Sequence, residues 1–321
     1  MRRTSASLSR AGIAAQEGRV DLSVAWATAI LGGRRTAIPV DLSTAVGWSA
    51  EYRTEAAGAV TWLRREQPAT RWALLADTHV PADPNTRYRS FRPHECVHDT
   101  VGQIADCQLD GTIINGDIAW LEGLPEDYVA ASELLGPLAE MGPLITTPGN
   151  HDDRENLCAV FSNPRVDEVA AKVMTVVDAG PVLLVGLDSL DQPSGVSGRL
   201  DKLQLDWLNE WLAANTKKPV ILFVHHPVDD DENGLLDSGS LLEVADKHSQ
   251  IKALFTAHDH VFSHREHNGL LVITQPAVGF AFEETEMHGW LEAELSASGM
   301  VLTTRPLADA EPTTMEFKWL R

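Results

Sequence analysis

The sequence predicts an α/β fold in which helices cover a sheet, and three observations carry that reading. From residue 71 onward, short apolar runs of strand length alternate with amphipathic stretches of helix length, the pattern of sheet strands joined by covering helices. The last 60 or so residues are strand-rich. Asp, Asn and His gather directly behind the apolar runs rather than inside them.

In chain order, the run Trp72 to Ala76 reads as the first strand of this part, bounded behind by polar residues. Glu95 to Gln108 carries helical spacing, Thr112 to Asn115 is again strand-like, and Tyr128 to Met141 is the next helix. Leu144 to Thr147 and Val182 to Leu187 are apolar runs too short for helices. Leu203 to Ala214 is a helix, Val220 to Val224 a strand, Leu241 to His248 a helix and Ala253 to Phe255 a strand. Leu270 to Thr274, Trp290 to Leu295 and Met300 to Thr304 complete the set as strands. The stretch before residue 71 has a different rhythm. Val20, Leu22, Val24 and Trp26 alternate with Asp21, Ser23 and Ala25 as in a strand, whereas Ala56, Val60 and Leu63 fall at i, i+4 and i+7. That spacing predicts a short helix ending near Arg64-Arg65. Residues 1–70 hold no cluster of ligands or nucleophiles and read as an N-terminal appendage, a sheet edge or the contact of a homo-oligomer. Residues 71–321 form the second, chemical part.

The chain has 321 residues, with 26 Lys+Arg against 46 Asp+Glu and a net charge of −20. A protein that grips a nucleic acid polymer needs a basic face, so this class is disfavoured, and an anionic membrane surface with it. A small anionic substrate stays open, because bound metal ions reverse the local field. Cys96, Cys107 and Cys158 are an odd number without C-x-x-C spacing, which argues against a disulfide framework or thiolate zinc site and for a reducing compartment. Met1-Arg2-Arg3 suggests twin-arginine export, but the following Ser-, Ala- and Gly-rich stretch has no apolar run of signal length. The expectation is a cytoplasmic protein.

Five polar clusters follow the predicted strands: Asp77-Thr78-His79, Asn115-Gly116-Asp117, Gly149-Asn150-His151-Asp152, His225-His226-Pro227 and His258-Asp259-His260. In open α/β sheets, sites form at the carboxyl ends of strands. Asp77, His79, Asp117, Asn150, His225, His258 and His260 make a mixed oxygen and nitrogen set too large for one transition-metal ion. It suits two ions of the Fe, Mn or Zn type sharing a carboxylate. D-x-H and H-x-H have the strand period of two, so a strand would aim both residues alike, as a loop also could. Two metals about 3.5–4 Å apart activate a hydroxide and clamp phosphoryl oxygens.

These clusters, as D-x-H, G-D, G-N-H-D, H-H-P and H-x-H, resemble the calcineurin-like metallophosphoesterases over about residues 71 to 305. The resemblance implies a four-layer αββα sandwich around a dinuclear site. It places Asp77, His79, Asp117 and His260 on one metal, and Asp117, shared, with Asn150, His225 and His258 on the other. It makes His151 the acid beside the leaving group in an attack by metal-bridging hydroxide. One departure is Ala257, where the family usually has Gly. Trp120 stands where purple acid phosphatases carry a Tyr, and the G-D-x-x-D-R-G and G-N-H-E of protein Ser/Thr phosphatases are missing. Gly149 to Arg154, Ser197 to Leu200 and Gln204 to Leu208 are similar to bacterial class III cyclic-nucleotide phosphodiesterases and glycerophosphodiesterase-like enzymes. A small phosphodiester is therefore the expected substrate, a 3′,5′-cyclic nucleotide foremost, with phosphomonoester or glycerophosphodiester hydrolysis as the alternative. A non-catalytic scaffold is disfavoured, because no ligand position is lost.

Other residues carry weaker expectations. His226 reads as a partner of the ligands or a substrate contact, and equally as packing. Arg154 reads more readily as a surface charge than as a phosphate contact, and Asp229 to Glu232 as a solvated loop that would repel polyanions if it overhangs the metals. His94, His98, His248, His264, His267 and His288 read as structural or exposed.

Overall fold

The computed structural model describes residues 47–65, 68–161, 172–192, 195–229, 232–308 and 310–321. The chain begins there with a hairpin of β1 (Trp48–Glu55) and β2 (Gly58–Arg65). Then come β3 (Arg71–Leu75), α1 (Pro93–Ala105), β4 (Gly111–Asn115), α2 (Pro125–Met141), β5 (Leu144–Thr147) and the short α3 (Arg154–Val160). Next are β6 (Lys172–Asp178), β7 (Leu183–Gly186), α4 (Asp201–Ala214), β8 (Val220–Phe223), α5 (Ser238–Lys247) and β9 (Ile251–Thr256). The hairpin β10 (Ser263–His267) and β11 (Leu270–Thr274) follows, and then β12 (Gly289–Leu295), β13 (Gly299–Pro306) and β14 (Thr314–Lys318).

Pairing sorts the strands into two sheets, β1-β2-β6-β7-β8-β9-β11-β10 and β14-β13-β12-β3-β4-β5. The strands that carry the polar clusters are parallel to their neighbours: β3 with β4, β4 with β5, and β8 with β9. Their carboxyl ends therefore lie together within each sheet. Alternation along each strand decides the layers, since successive side chains take opposite faces. Trp72, Leu74, Ile113 and Ile145 of one sheet meet Leu184, Ile221, Phe223 and Phe255 of the other in a core between the sheets. Ala73, Leu75 and Ile114 point the other way, onto Val97, Val101 and Ile104 of α1 and Tyr128, Ala131 and Leu135 of α2. Val185, Leu222 and Leu254 likewise face Leu208, Trp211 and Leu212 of α4 and Leu241 and Val244 of α5. The order is helix, sheet, sheet, helix: the four-layer αββα sandwich.

Two local expectations need correction. Residues 56–63 do not form a helix; Gly58–Arg65 is β2, with burial alternating only toward its end. The helical spacing of Ala56, Val60 and Leu63 is coincidental, and parallel pairing of β2 with β6 overrides it. Parallel strands buried on both faces lose the period-2 signature, and for that reason the helical pattern competes well in the sequence. The hairpin β1–β2 thus belongs to the eight-stranded sheet, with β1 as its edge strand. The strand expected from Val20 to Trp26 lies outside the described residues. Elements with weak patterns, namely β1, β6, β10, β14 and α3, are additional to those the sequence suggested.

One buried amide ties the two sheets together just below the strand ends. Asn115, fully buried, donates from Nδ2 to the carbonyls of Val224 and Phe255 at 3.3 Å each and to Gln275 Oε1 at 3.0 Å. Its Oδ1 accepts from Thr147 Oγ1 at 2.9 Å. Gln275 Nε2 in turn donates to the carbonyl of Leu75 at 3.2 Å. The ends of β3, β4 and β5 are so joined to the ends of β8 and β9. Replacing Asn115 by Leu orphans several buried groups, each costing about 1–3 kcal/mol, and should lower unfolding stability by about 3 kcal/mol or more in urea titration.

Candidate metal centre

The five polar clusters leave their strands on turns, not on continued strand. Backbone bonds zip the first two together: Asp77 N–H donates to the Gly116 carbonyl at 3.0 Å and His79 N–H to the Asp117 carbonyl at 2.9 Å. Gly279 N–H donates to the Asp77 carbonyl at 2.9 Å, and Ala257 N–H to the His225 carbonyl at 2.8 Å. Among the described residues, eight non-glycine residues have positive φ, and five of them are Asp77 (50°), His79 (44°), Asp117 (51°), His258 (71°) and His260 (57°). Left-handed backbone costs an L-residue about 1–2 kcal/mol and gathers at functional sites. The period-two argument for D-x-H and H-x-H is thereby corrected: αL turns, not strand pleating, aim both residues inward. Ala257 has no positive φ, so its methyl adds no backbone strain.

All seven expected ligand residues converge. Asp77, His79 and His260 form one group, and Asp117, His225 and His258 a second, each with its ligand atoms within 4.8 Å of one another. Asp117 Oδ2 lies 3.4 Å from His225 Nε2 and 3.6 Å from His79 Nε2, so it faces both groups. Asn150 Oδ1 accepts from His258 Nδ1 at 2.9 Å, which puts the amide in the second group. Two imidazoles have their tautomer set from behind, because a carbonyl can only accept. His225 Nδ1 donates to the Asn115 carbonyl at 2.8 Å, and His260 Nδ1 to the Phe280 carbonyl at 2.7 Å.

The Nε2 atoms therefore turn toward carboxylates: His260 Nε2 lies 3.4 Å from Asp77 Oδ1, and His225 Nε2 faces Asp117. A neutral imidazole's lone pair repels a carboxylate at that distance unless positive charge lies between them. Asp77 Oδ1 and His225 Nε2 are buried without any hydrogen-bond partner, a rare state for such groups. Unsatisfied donor atoms of oxygen and imidazole type, crowded in two groups around one shared carboxylate, fit two transition-metal ions.

The electrostatics agree. Burial opposes charge on His225, but the Asp117 and Asp77 carboxylates outweigh it and push its pKa to about 10. Burial dominates at His79 and His258, lowering them to about 3 and about 4, so both stand neutral and available at pH 7. Burial alone would raise Asp117, yet the neighbouring histidines hold it well below the usual carboxylate range.

The G-N-H-D-D segment is held by a carboxylate to which sequence reading gave no role. Buried Asp152 accepts from the backbone N–H of Gly149 (2.9 Å), Ile118 (3.1 Å) and Ala119 (3.2 Å) and from Tyr128 Oη (2.9 Å). It locks the third cluster to the second; its place inside the motif was the available signal. A methyl on Gly149 would lie 2.2 Å from Asp117 Oδ1, so this approach requires glycine. His151 is partly exposed. Its N–H donates to Asp117 Oδ1 at 2.9 Å and its Nδ1 to the Leu121 carbonyl at 2.8 Å.

His226 is buried, with Nδ1 2.7 Å from Ser189 Oγ and its ring 5.1 Å from that of His258. A side chain on Gly198 would strike it at 2.2 Å. It is a packing partner of the second group. Arg154 is no surface charge: its guanidinium forks onto buried Asp188 at 2.6 and 3.0 Å, tying α3 to the segment after β7. Asp229 and Glu232 are exposed, while 230 and 231 lie outside the described residues. His98 and His264 are exposed, and His94, His248, His267 and His288 are intermediate.

Comparisons place this geometry. The chain is 27% identical over 255 residues to the 3′,5′-cyclic adenosine monophosphate phosphodiesterase CpdA of Haemophilus influenzae, covering 74% of this chain and 90% of that one. It is 28% identical over 209 residues to the "Probable glycerophosphodiester phosphodiesterase GpdQ" of Arcobacter nitrofigilis, covering 62% and 75% respectively. A solved dimetal phosphatase from Danio rerio shares the fold with a TM-score of 0.60 at 19% identity, over 78% of this chain and all of the other. The model of the family described as calcineurin-like phosphoesterase matches residues 70–262. With that span matched, the chain belongs to the calcineurin-like phosphoesterase family.

Proposed function

We propose that the protein hydrolyses a small phosphodiester, 3′,5′-cyclic nucleotides first, with two ions of Fe, Mn or Zn as its cofactor. The observation that carries this is the pair of ligand groups facing one shared carboxylate, Asp117. Asp77, His79, Asp117 and His260 would hold one ion; Asp117, Asn150, His225 and His258 the other. Such a pair supplies a hydroxide-like nucleophile at neutral pH and neutralises charge on the phosphoryl oxygens.

The chain's own part is positioning and proton transfer. Asp152 fixes the backbone on either side of the second and third clusters, and the His151 N–H fixes the Asp117 carboxylate. His151 keeps Nδ1 bound to the Leu121 carbonyl in either charge state, which leaves Nε2 to carry the proton to the departing alkoxide. The relationship to CpdA and to the GpdQ protein supports a diester over a monoester. The net charge of −20 supports a small substrate over a nucleic acid polymer or a membrane surface. No helix among the described residues is long and apolar enough to cross a membrane. Three unpaired cysteines support a reducing compartment such as the cytoplasm.

The direct test is a hydrolysis panel with added Mn: bis- and mono-nitrophenyl phosphate, 3′,5′-cyclic nucleotides and glycerophosphodiesters. Faster turnover of cyclic nucleotides than of the others is expected; monoesters as the best substrates would overturn the diester reading. Metal binding has its own signature. His79 and His258 need lose no proton at pH 7, but His225, with a pKa near 10, must. Titration calorimetry in buffers of different ionisation enthalpy should show about one more proton released per chain at pH 7 by the parent protein than by His225→Ala, a difference that vanishes above pH 10. His151→Ala should keep both metals by elemental analysis. It should lose about 100-fold in kcat on alkyl esters and under tenfold on nitrophenyl esters; equal losses would remove the acid role.

A further inference from the structure

Among the described residues, aromatic side chains surround only one of the two ligand groups. Phe280 stacks on His79 at 4.7 Å and packs on His260 at 4.6 Å, Phe282 stacks flat on His260 at 4.3 Å, and Trp120 meets His79 edge-on at 6.3 Å. Around His225 and His258, the ring contacts among the described residues are with each other and with His226. The aromatic side is also the His151 side, since the His151 ring lies 5.3 Å from that of His79.

This aromatic face is built and open. Tyr88 stacks on Phe280 at 4.1 Å, and Arg89 lies over the Tyr88 ring at 5.4 Å while its guanidinium donates to the Phe282 carbonyl. Ser90 Oγ donates to Glu284 at 2.8 Å. The 88–90 and 280–284 segments are thus pinned together, with Phe280 buried beneath and Phe282 still 39% exposed. Tyr88 and Trp120 are half-buried, and Glu122, Glu283 and Glu284 nearby are exposed. An apolar, flat aromatic surface takes a ring more readily than a glycerol.

We infer that Phe282, stacked on His260 and joined through Phe280 to Tyr88 and Trp120, is the platform on which a flat aromatic group of the ester stacks. This rests on the phosphodiesterase reading and narrows it: the substrate carries a ring, as a nucleobase or an aryl ester does, on its leaving-group side. Stacking of a base on an aromatic side chain is worth enough to change affinity at least several-fold and usually about tenfold or more.

The test uses the full chain loaded with Mn. Binding of AMP and of ribose 5-phosphate, which carry the same phosphate and differ by the base, is measured by titration calorimetry. AMP should bind about tenfold tighter to the parent protein and to Phe282→Trp, and the ratio should collapse toward one in Phe282→Leu and Phe282→Ala. In parallel, the loss in kcat/KM on 3′,5′-cyclic AMP and bis(p-nitrophenyl) phosphate in Phe282→Leu should exceed the loss on glycerophosphoethanolamine about tenfold, chiefly through KM. Equal binding of AMP and ribose 5-phosphate by the parent protein, or a preference that survives Phe282→Leu, overturns the platform. Hydrolysis of none of the esters with the AMP preference intact would overturn the phosphodiesterase reading and leave the platform standing.

Discussion

Everything at the carboxyl end of this fold depends on a buried amide. Asn115 bridges the ends of β4, β5, β8 and β9, Gln275 extends the bridge to β3, and the Asn115 main-chain carbonyl orients His225. Apolar packing alone would let two sheets slide, because the hydrophobic effect has no direction. Hydrogen bonds inside a low-dielectric core do have direction, and every donor and acceptor must find its mate. The bridge thus converts two stacked sheets into a single platform with five strand ends at fixed separation. Four of the loops can then bring side chains from distant parts of the chain into two groups, the ligand atoms of each within 4.8 Å of one another.

The same economy governs the loops. Five residues of the two ligand groups sit in left-handed backbone, a cost that no isolated turn would sustain. The compensation is local: the zipper between the first two clusters, and the four hydrogen bonds converging on Asp152. Asn150, by contrast, needs no such turn, and its cluster is held by Asp152 instead.

Much of this was legible in the sequence, for identifiable reasons. Strand runs buried on both faces, such as Val220–Phe223 and Ile251–Thr256, are continuous apolar segments that leave little else to be. The polar residues behind them point to a common site at the strand ends. Illegible were elements whose identity is set by neighbours: β2 imitates a helix until β6 pairs with it, and β10 is exposed along nearly its whole length. The turn geometry of D-x-H was also hidden, because the residue types do not announce a positive φ. The burial of Arg154 is illegible for a similar reason. Its partner Asp188 lies 34 positions away, and a single charge in a sequence looks solvated until its counterion is found.

The attachments of His151 have a mechanical meaning. Its N–H holds Asp117 Oδ1, its ring is tethered to the carbonyl of Leu121, and Leu121 follows Asp117 by only four residues. Carboxylate, loop and imidazole close into a short loop of covalent and hydrogen-bonded links. Such a closed linkage behaves like a gear: a shift of the shared carboxylate carries the imidazole with it. The distance between this imidazole and the shared carboxylate is conserved through small motions that would misalign two independently mounted groups.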